Sequence, residues 1–173
     1  WCINSMRTLL LASQSPRRKE LLERAGFEFT VLSVQISEIP QENLSLEEQI
    51  RDLAVQKAKA LVESGKILES RNILVLSADT VVILDDQIVG KPADARESEV
   101  FLRRLSGQTH GVITAICLWD LDSTKVVVGH DWSHVTFHAL SEKQILDYVA
   151  SGDGLDKAGA YGIQGVGGTF IAR

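Results

Sequence analysis

Only two cysteines and three prolines occur among 173 residues. Cys2 lies next to the first residue and Cys117 inside an apolar run, so a disulfide framework is excluded. Thiols this sparse suit a reducing compartment, and the cytoplasm is the expected setting. No apolar run approaches the ~18 residues that a membrane-spanning helix needs. An excess of positive charge is also missing: 18 Lys and Arg face 23 Asp and Glu, a net charge of −5. Proteins that coat nucleic acid carry a basic surplus to neutralise phosphates, and aromatic residues at 6% offer no stacking platform for bases. Neither nucleic acid nor a membrane is therefore expected as a partner. Residues Trp1 to Ser5 have neither the basic nor the apolar segment of a secretory leader; Met6 reads as the natural start, with residues 1–5 a non-native leader.

What is present is ordinary for a globular domain: 45% hydrophobic and 24% charged residues. A chain of this length buries roughly 70% of its unfolded surface without help from metals or cross-links, and residues 1–173 read as one domain. The first strand is expected at Thr8–Ala12, followed by a helix from Pro16 to Ala25 with Ser15 as its N-cap. A strand over Phe27–Ile36 comes next, then a helix opened by the capping box Ser45/Glu48 and running to Leu61. Ile73–Ala78 reads as a strand covered on both faces. Val81–Leu84 and Ile88-Val89 form a hairpin around Asp85-Asp86. Asp94 and Glu97 cap a third helix ending at Leu105, and Val112–Trp119 and Val126–Phe137 are long strands. Ser141 and Gln144 cap a fourth helix that stops near Gly152. The order β-α-β-α-β-β-α-β-β-α is mixed α/β and ends in a glycine-rich tail, where backbone must pass close to another backbone or to a ligand.

Three places in this order could carry chemistry. The string SQSPRR, Ser13 to Arg18, joins a strand to a helix N-terminus, whose unpaired N–H groups and positive dipole end attract anions. Arg17, Arg18 and Lys19 stand where a first helical turn prefers acids, and an anionic ligand would repair that breach. The plain alternative is a solvated basic turn paired with Glu20 or Glu23. In ADTVV, Asp79 ends an apolar strand, a position from which a carboxylate can hold a metal or accept a proton; its alternative is a turn former. Glu38 is a candidate second carboxylate. Lys57 in QKAKA and Lys91 in GKP are compact charges suited to phosphate; taken singly, each reads as a surface lysine. The four histidines show no HxxxH pair on a helix, so a structural zinc site is not expected. Ser77 lacks the GxSxG context of a nucleophile.

Five strings, LASQSPRRKELL, ADTVV, GKP, LSGQTH followed by VITA, and DKAGAYGIQGVGG, occur in one order over Leu9–Ile171. Together they resemble the Maf family of nucleoside triphosphate pyrophosphatases. The resemblance implies a mixed α/β fold of the kind shared with ITPase-like proteins. Its sheet would be largely antiparallel and extended, with flanking helices and two lobes around a central cleft. It implies hydrolysis of a nucleoside triphosphate to the monophosphate and pyrophosphate, with a divalent cation such as Mg²⁺ or Mn²⁺ held by Glu38 and Asp79. Asp79 would be the proton acceptor for the attacking water. Ser13, Arg17 and Arg18 would take the substrate, and Lys57 and Lys91 would offset charge on the leaving pyrophosphate.

Within the family, the dTTP/UTP branch is marked by the second arginine of SPRR, the threonine of ADT and the glutamine of AYGIQG. These are Arg18, Thr80 and Gln164 here. An amide can donate and accept at once, as a pyrimidine edge requires. The chain departs from the family at Ser37, where an acidic residue is common, and the family's closing GSY…GLP segment has no counterpart before Arg173. The resemblance also allows a homodimer. The rival reading is a nucleotide-binding regulatory module in cell-division (septum) control, without turnover.

Overall fold

The computed structural model describes residues 7–36, 39, 41, 43–68 and 71–173. Its elements are β1 (Thr8–Leu11), α1 (Pro16–Arg24), β2 (Thr30–Val31), α2 (Leu46–Glu63), β3 (Ile73–Leu84), β4 (Gln87–Val89), α3 (Ala95–Leu105), β5 (Thr109–Asp120), β6 (Val126–Thr136) and α4 (Glu142–Ser151). Two 3₁₀ turns follow, at Ala158–Ala160 and Val166–Phe170. This is the order that the sequence pattern predicts.

Side-chain caps set the helix starts. Before α2 the Ser45 hydroxyl accepts the Glu48 N–H at 3.3 Å, and the Glu48 carboxylate accepts the Ser45 N–H at 2.9 Å. Ser141 and Gln144 make the same box before α4, which stops at Gly152 with φ +73°. Asp94 accepts the Glu97 N–H at 2.8 Å, but Glu97 reaches back to the Ala93 N–H at 2.6 Å. At α1 the expectation needs correcting. Ser15 occupies the cap position without a side-chain capping bond, and the Ser13 hydroxyl accepts the Ser15 N–H at 3.2 Å instead.

The six-stranded sheet has the order β2-β1-β3-β5-β6, with β4 paired to β3. Parallel pairing involves the short strands: Leu10 lies opposite Thr30 and Leu11 opposite Leu76. The β3–β4 hairpin is antiparallel and turns through Asp85 and Asp86, both left-handed at φ +52° and +58°, as a type I′ turn requires. The long strands β5 and β6 also run antiparallel. The Thr109 and Thr136 hydroxyls meet at 2.8 Å near one end, and the Asp120 N–H donates to the Lys125 carbonyl at 2.9 Å at the other.

Two strands differ from the pattern. β2 has two residues rather than the ten of Phe27–Ile36, because the segment leaves Phe27 and Val31 exposed and so gains little by extending its ladder. β3 does not stop at Ala78. The β-branched run Thr80-Val81-Val82 carries it on to Leu84, which puts Asp79 inside a strand rather than at its end.

Two compact units divide the chain: Trp1–Asp79 with Thr114–His130, and Thr80–Ile113 with Asp131–Arg173. In the first, α2 buries Ile50, Leu53, Ala54, Ala58 and Leu61, a helical stripe that joins Leu10, Leu11, Ile73 and Val75 in the core. Cys117 is a buried free thiol there. In the second, Val82, Leu102, Leu105, Phe137, Ile145, Tyr148, Tyr161 and Phe170 belong to one cluster. Phe137 meets the ring of Tyr161 edge-on at 4.7 Å and that of His110 at 5.0 Å.

His110 is buried, with Nε2 2.7 Å from the Tyr161 hydroxyl. Burial lowers its pKa from 6.5 to about 4, so the ring is neutral in the fold at pH 7. Between pH 6.5 and 4 the unfolded chain takes up a proton that the folded ring refuses, and stability therefore declines as pH falls. The expected result is that His110→Asn flattens this part of the pH–stability curve in urea melts, whereas the parent chain loses stability across the window.

Candidate active site

The first unit brings two of the sequence motifs side by side. Leu11 of β1 lies opposite Leu76 of β3, and the Ala12 N–H donates to the Leu76 carbonyl at 2.7 Å. Because the strands are parallel, continuing this register by two residues sets Ser13 level with Ala78. The SPRR turn thus leaves the sheet beside the Ala78-Asp79 stretch. Ser13 organises that turn, since its buried hydroxyl receives the Ser15 N–H and, at 3.1 Å, Nη1 of Arg18. Arg17 and Arg18 are both half-buried in the first turn of α1, which holds no acid. Lys19 behaves differently: it is exposed and 3.7 Å from Glu23, so for this residue the solvated reading holds, and such a pair contributes little.

Asp79 is 5% exposed. A carboxylate inside a strand tolerates burial only with a compensating charge, and Lys57 of α2 supplies it by donating to Oδ1. Its position follows from helix packing. Lys57 lies three residues beyond Ala54, whose carbonyl accepts the Ser77 hydroxyl at 2.6 Å. Ser77 is two residues before Asp79, on the same face of β3. One helix face therefore makes both contacts with one strand face. The sequence offered no reason to assign Ser77 this role, because a serine inside an apolar run gives no sign of which carbonyl it will meet.

The second unit gathers the remaining motifs. The Gly159 N–H donates to the Gly90 carbonyl at 2.9 Å, tying the DKAGAYGIQG segment to GKP. Gly159 is left-handed at φ +67°, and a Cβ there would stand 2.8 Å from the Val82 side chain, in ADTVV. A side chain is thus excluded on two counts. Tyr161 of the same segment meets His110 of LSGQTH. Thr80 is half-buried, and Lys91 and Gln164 are exposed. Asp153 and Lys157 form an ion pair at 3.1 Å; Lys157 stands in the DKAG string, whereas nothing in the sequence pattern singles out Asp153. Glu38 lies outside the described residues. Among the described residues no group of three or more His, Cys, Asp or Glu could hold a metal ion.

A family model described as Maf-like protein matches residues 8–173. The chain belongs to the Maf family. Curated relatives within reach of this Maf chain include a protein of Bdellovibrio bacteriovorus named dTTP/UTP pyrophosphatase, 46% identical over 165 residues, covering 95% of this chain and 86% of the relative. A protein of the same name from Escherichia coli O157:H7 is 44% identical over 168 residues, covering 97% and 82%. Among solved structures, the Staphylococcus aureus Ham1 protein matches with a TM-score of 0.50 at 13% identity, over 76% of this Maf chain and 72% of that one. That likeness concerns the fold alone.

Removing one partner of a buried ion pair strands the other charge. Lys57→Met should lower unfolding free energy by about 3 kcal/mol in urea melts. Combined with Asp79→Asn, it should cost clearly less than the sum of the two single changes. Strict additivity would mean that the two groups do not interact.

Proposed function

We propose that this Maf-family chain is a nucleoside triphosphate pyrophosphatase acting on dTTP and UTP, which it converts to the monophosphate and pyrophosphate, and that it serves to clean the nucleotide pool of the cytoplasm. The observation that carries the reading is the buried Asp79 carboxylate, held by Lys57 in the strand that runs beside the SPRR turn. The names borne by the relatives point to the same reaction and weigh for turnover over a binding module without it. No helix among the described residues is long and apolar enough to cross a membrane.

In this reading Asp79 accepts a proton from the water that attacks the α-phosphorus, and the bond to the α,β-bridging oxygen breaks as pyrophosphate leaves. Ser13 shapes the turn, and Arg17 and Arg18 bind phosphate oxygens with planar, multidentate donors. Lys57 and Lys91 offset the charge that builds on the leaving group. Thr80 and Gln164, with Arg18, select the pyrimidine. A displacement of this kind requires little covalent chemistry from the protein, so positioning and charge carry the rate.

The donor chemistry also suits a divalent cation. Carboxylate oxygen is a hard ligand, and Mg²⁺ is commonly held by one or two carboxylates together with substrate phosphates rather than by an all-protein cage. The buried Asp79 carboxylate, which Lys57 holds through Oδ1, offers such an oxygen. Asp79 and Glu38 would hold Mg²⁺ or Mn²⁺, which when bound neutralises charge on the triphosphate.

The test is Asp79→Asn assayed with dTTP and Mg²⁺, following dTMP, pyrophosphate and orthophosphate. Turnover should fall by about 10²–10⁴-fold, the range for loss of a general base, with dTTP affinity largely kept. Orthophosphate as the first product of the parent chain, or full activity in the variant, would overturn the reading.

A further inference from the structure

Gln164 sits on an exposed turn that is seated on something unusual for a surface loop. The Gly165 N–H approaches the Gly162 carbonyl at 3.4 Å, closing a four-residue turn with Gln164 in third place. Both ends of the turn rest on the two partners of one ion pair. A Cβ on Gly162 would stand 2.8 Å from Cδ of Lys157, and a Cβ on Gly165 would stand 3.0 Å from Oδ2 of Asp153. Lys157 is itself only 12% exposed in its side chain. Its ammonium donates to Asp153 Oδ1 at 3.1 Å, to Asp156 Oδ1 at 2.7 Å and to the Asp153 carbonyl. The Tyr148 hydroxyl donates to Asp153 Oδ2 at 3.1 Å, which anchors the acid to the buried cluster. With two carboxylates and a carbonyl around it, the Lys157 charge is already answered within this loop, which argues against a phosphate role.

We infer that Asp153 and Lys157 are positioning residues for Gln164: their ion pair is the platform that fixes the turn presenting the amide, and so contributes to choice of base rather than to bond cleavage. The inference rests on the reading of Gln164 as the residue that recognises the pyrimidine. Hydrogen-bond recognition depends on placement within fractions of an ångström, and a turn on an isolated surface loop would not supply it.

The experiment compares kcat/KM for dTTP with that for GTP in the full chain. Gln164→Ala should collapse the preference. Lys157→Met keeps the stem under Gly162 but removes the charge; it should reduce the dTTP-to-GTP ratio by about tenfold, mainly through KM for dTTP. Lys157→Arg should restore most of it. Gly165→Ala keeps both charged residues but forces the Asp153 carboxylate aside, and it should move the ratio in the same direction. In a Gln164→Ala background, Lys157→Met should change the ratio no further. An equal loss with both nucleotides in Lys157→Met and Gly165→Ala would make the pair merely structural and overturn the inference alone. An unchanged ratio in Gln164→Ala would overturn the underlying reading, and the inference with it.

Discussion

A charge buried inside a β-strand is the constraint around which the first unit is arranged. Asp79 cannot sit in the interior of β3 as an isolated ion, because desolvation of a lone carboxylate costs several kcal/mol even after relaxation. Lys57 offsets that penalty, and to reach the carboxylate it must come from a helix in fixed register with the strand. The Ser77–Ala54 hydrogen bond and the apolar stripe of α2 provide this register. The ion pair is thus a product of ordinary helix-on-sheet packing, and the packing in turn is made specific by the need to satisfy the pair.

The second unit solves a different problem, that of holding an irregular, glycine-rich segment still. Backbone that follows neither helix nor strand must have its polar groups satisfied one at a time. Here Gly159 bonds Gly90, and Tyr161 meets His110 within the buried aromatic cluster. Burial, and then the hydrogen bond to Asp153, push the Tyr148 hydroxyl pKa upward, so this tyrosine stays protonated and available as a donor. The glycines let backbone and side chains approach where a Cβ would collide.

Local signals in the sequence were read correctly where the physics is local. The capping boxes at Ser45 and Ser141, the left-handed Asp85-Asp86 turn and the helical stripe of α2 each depend on neighbours within a few residues. Misreadings arose where residue type alone does not say which partner is met. Phe27–Ile36 has strand-like composition, but only two of its residues find β1. Asp79 looks like the end of a strand, but the β-branched run after it carries β3 on to Leu84, and Lys57, twenty-two residues earlier, supplies the counter-charge. Ser15 is a good cap by residue type, yet Ser13 takes the bond through its position at the end of β1.

For the site, residue types and spacing alone determined that cations cluster at a helix N-terminus and that a carboxylate interrupts an apolar strand, because both are conflicts visible along the chain. They also carried the family resemblance, since five ordered strings survive in linear form. Which groups meet was decided by tertiary structure. The pairing of Lys57 with Asp79 and the placement of Ser13 level with Ala78 follow from helix packing and strand register, and the seating of the Gln164 turn on Asp153 and Lys157 follows from the fold of one irregular loop. The physical reason is range: caps and turns are settled over a few residues, whereas a buried charge finds its counter-ion only when segments far apart in sequence are packed together.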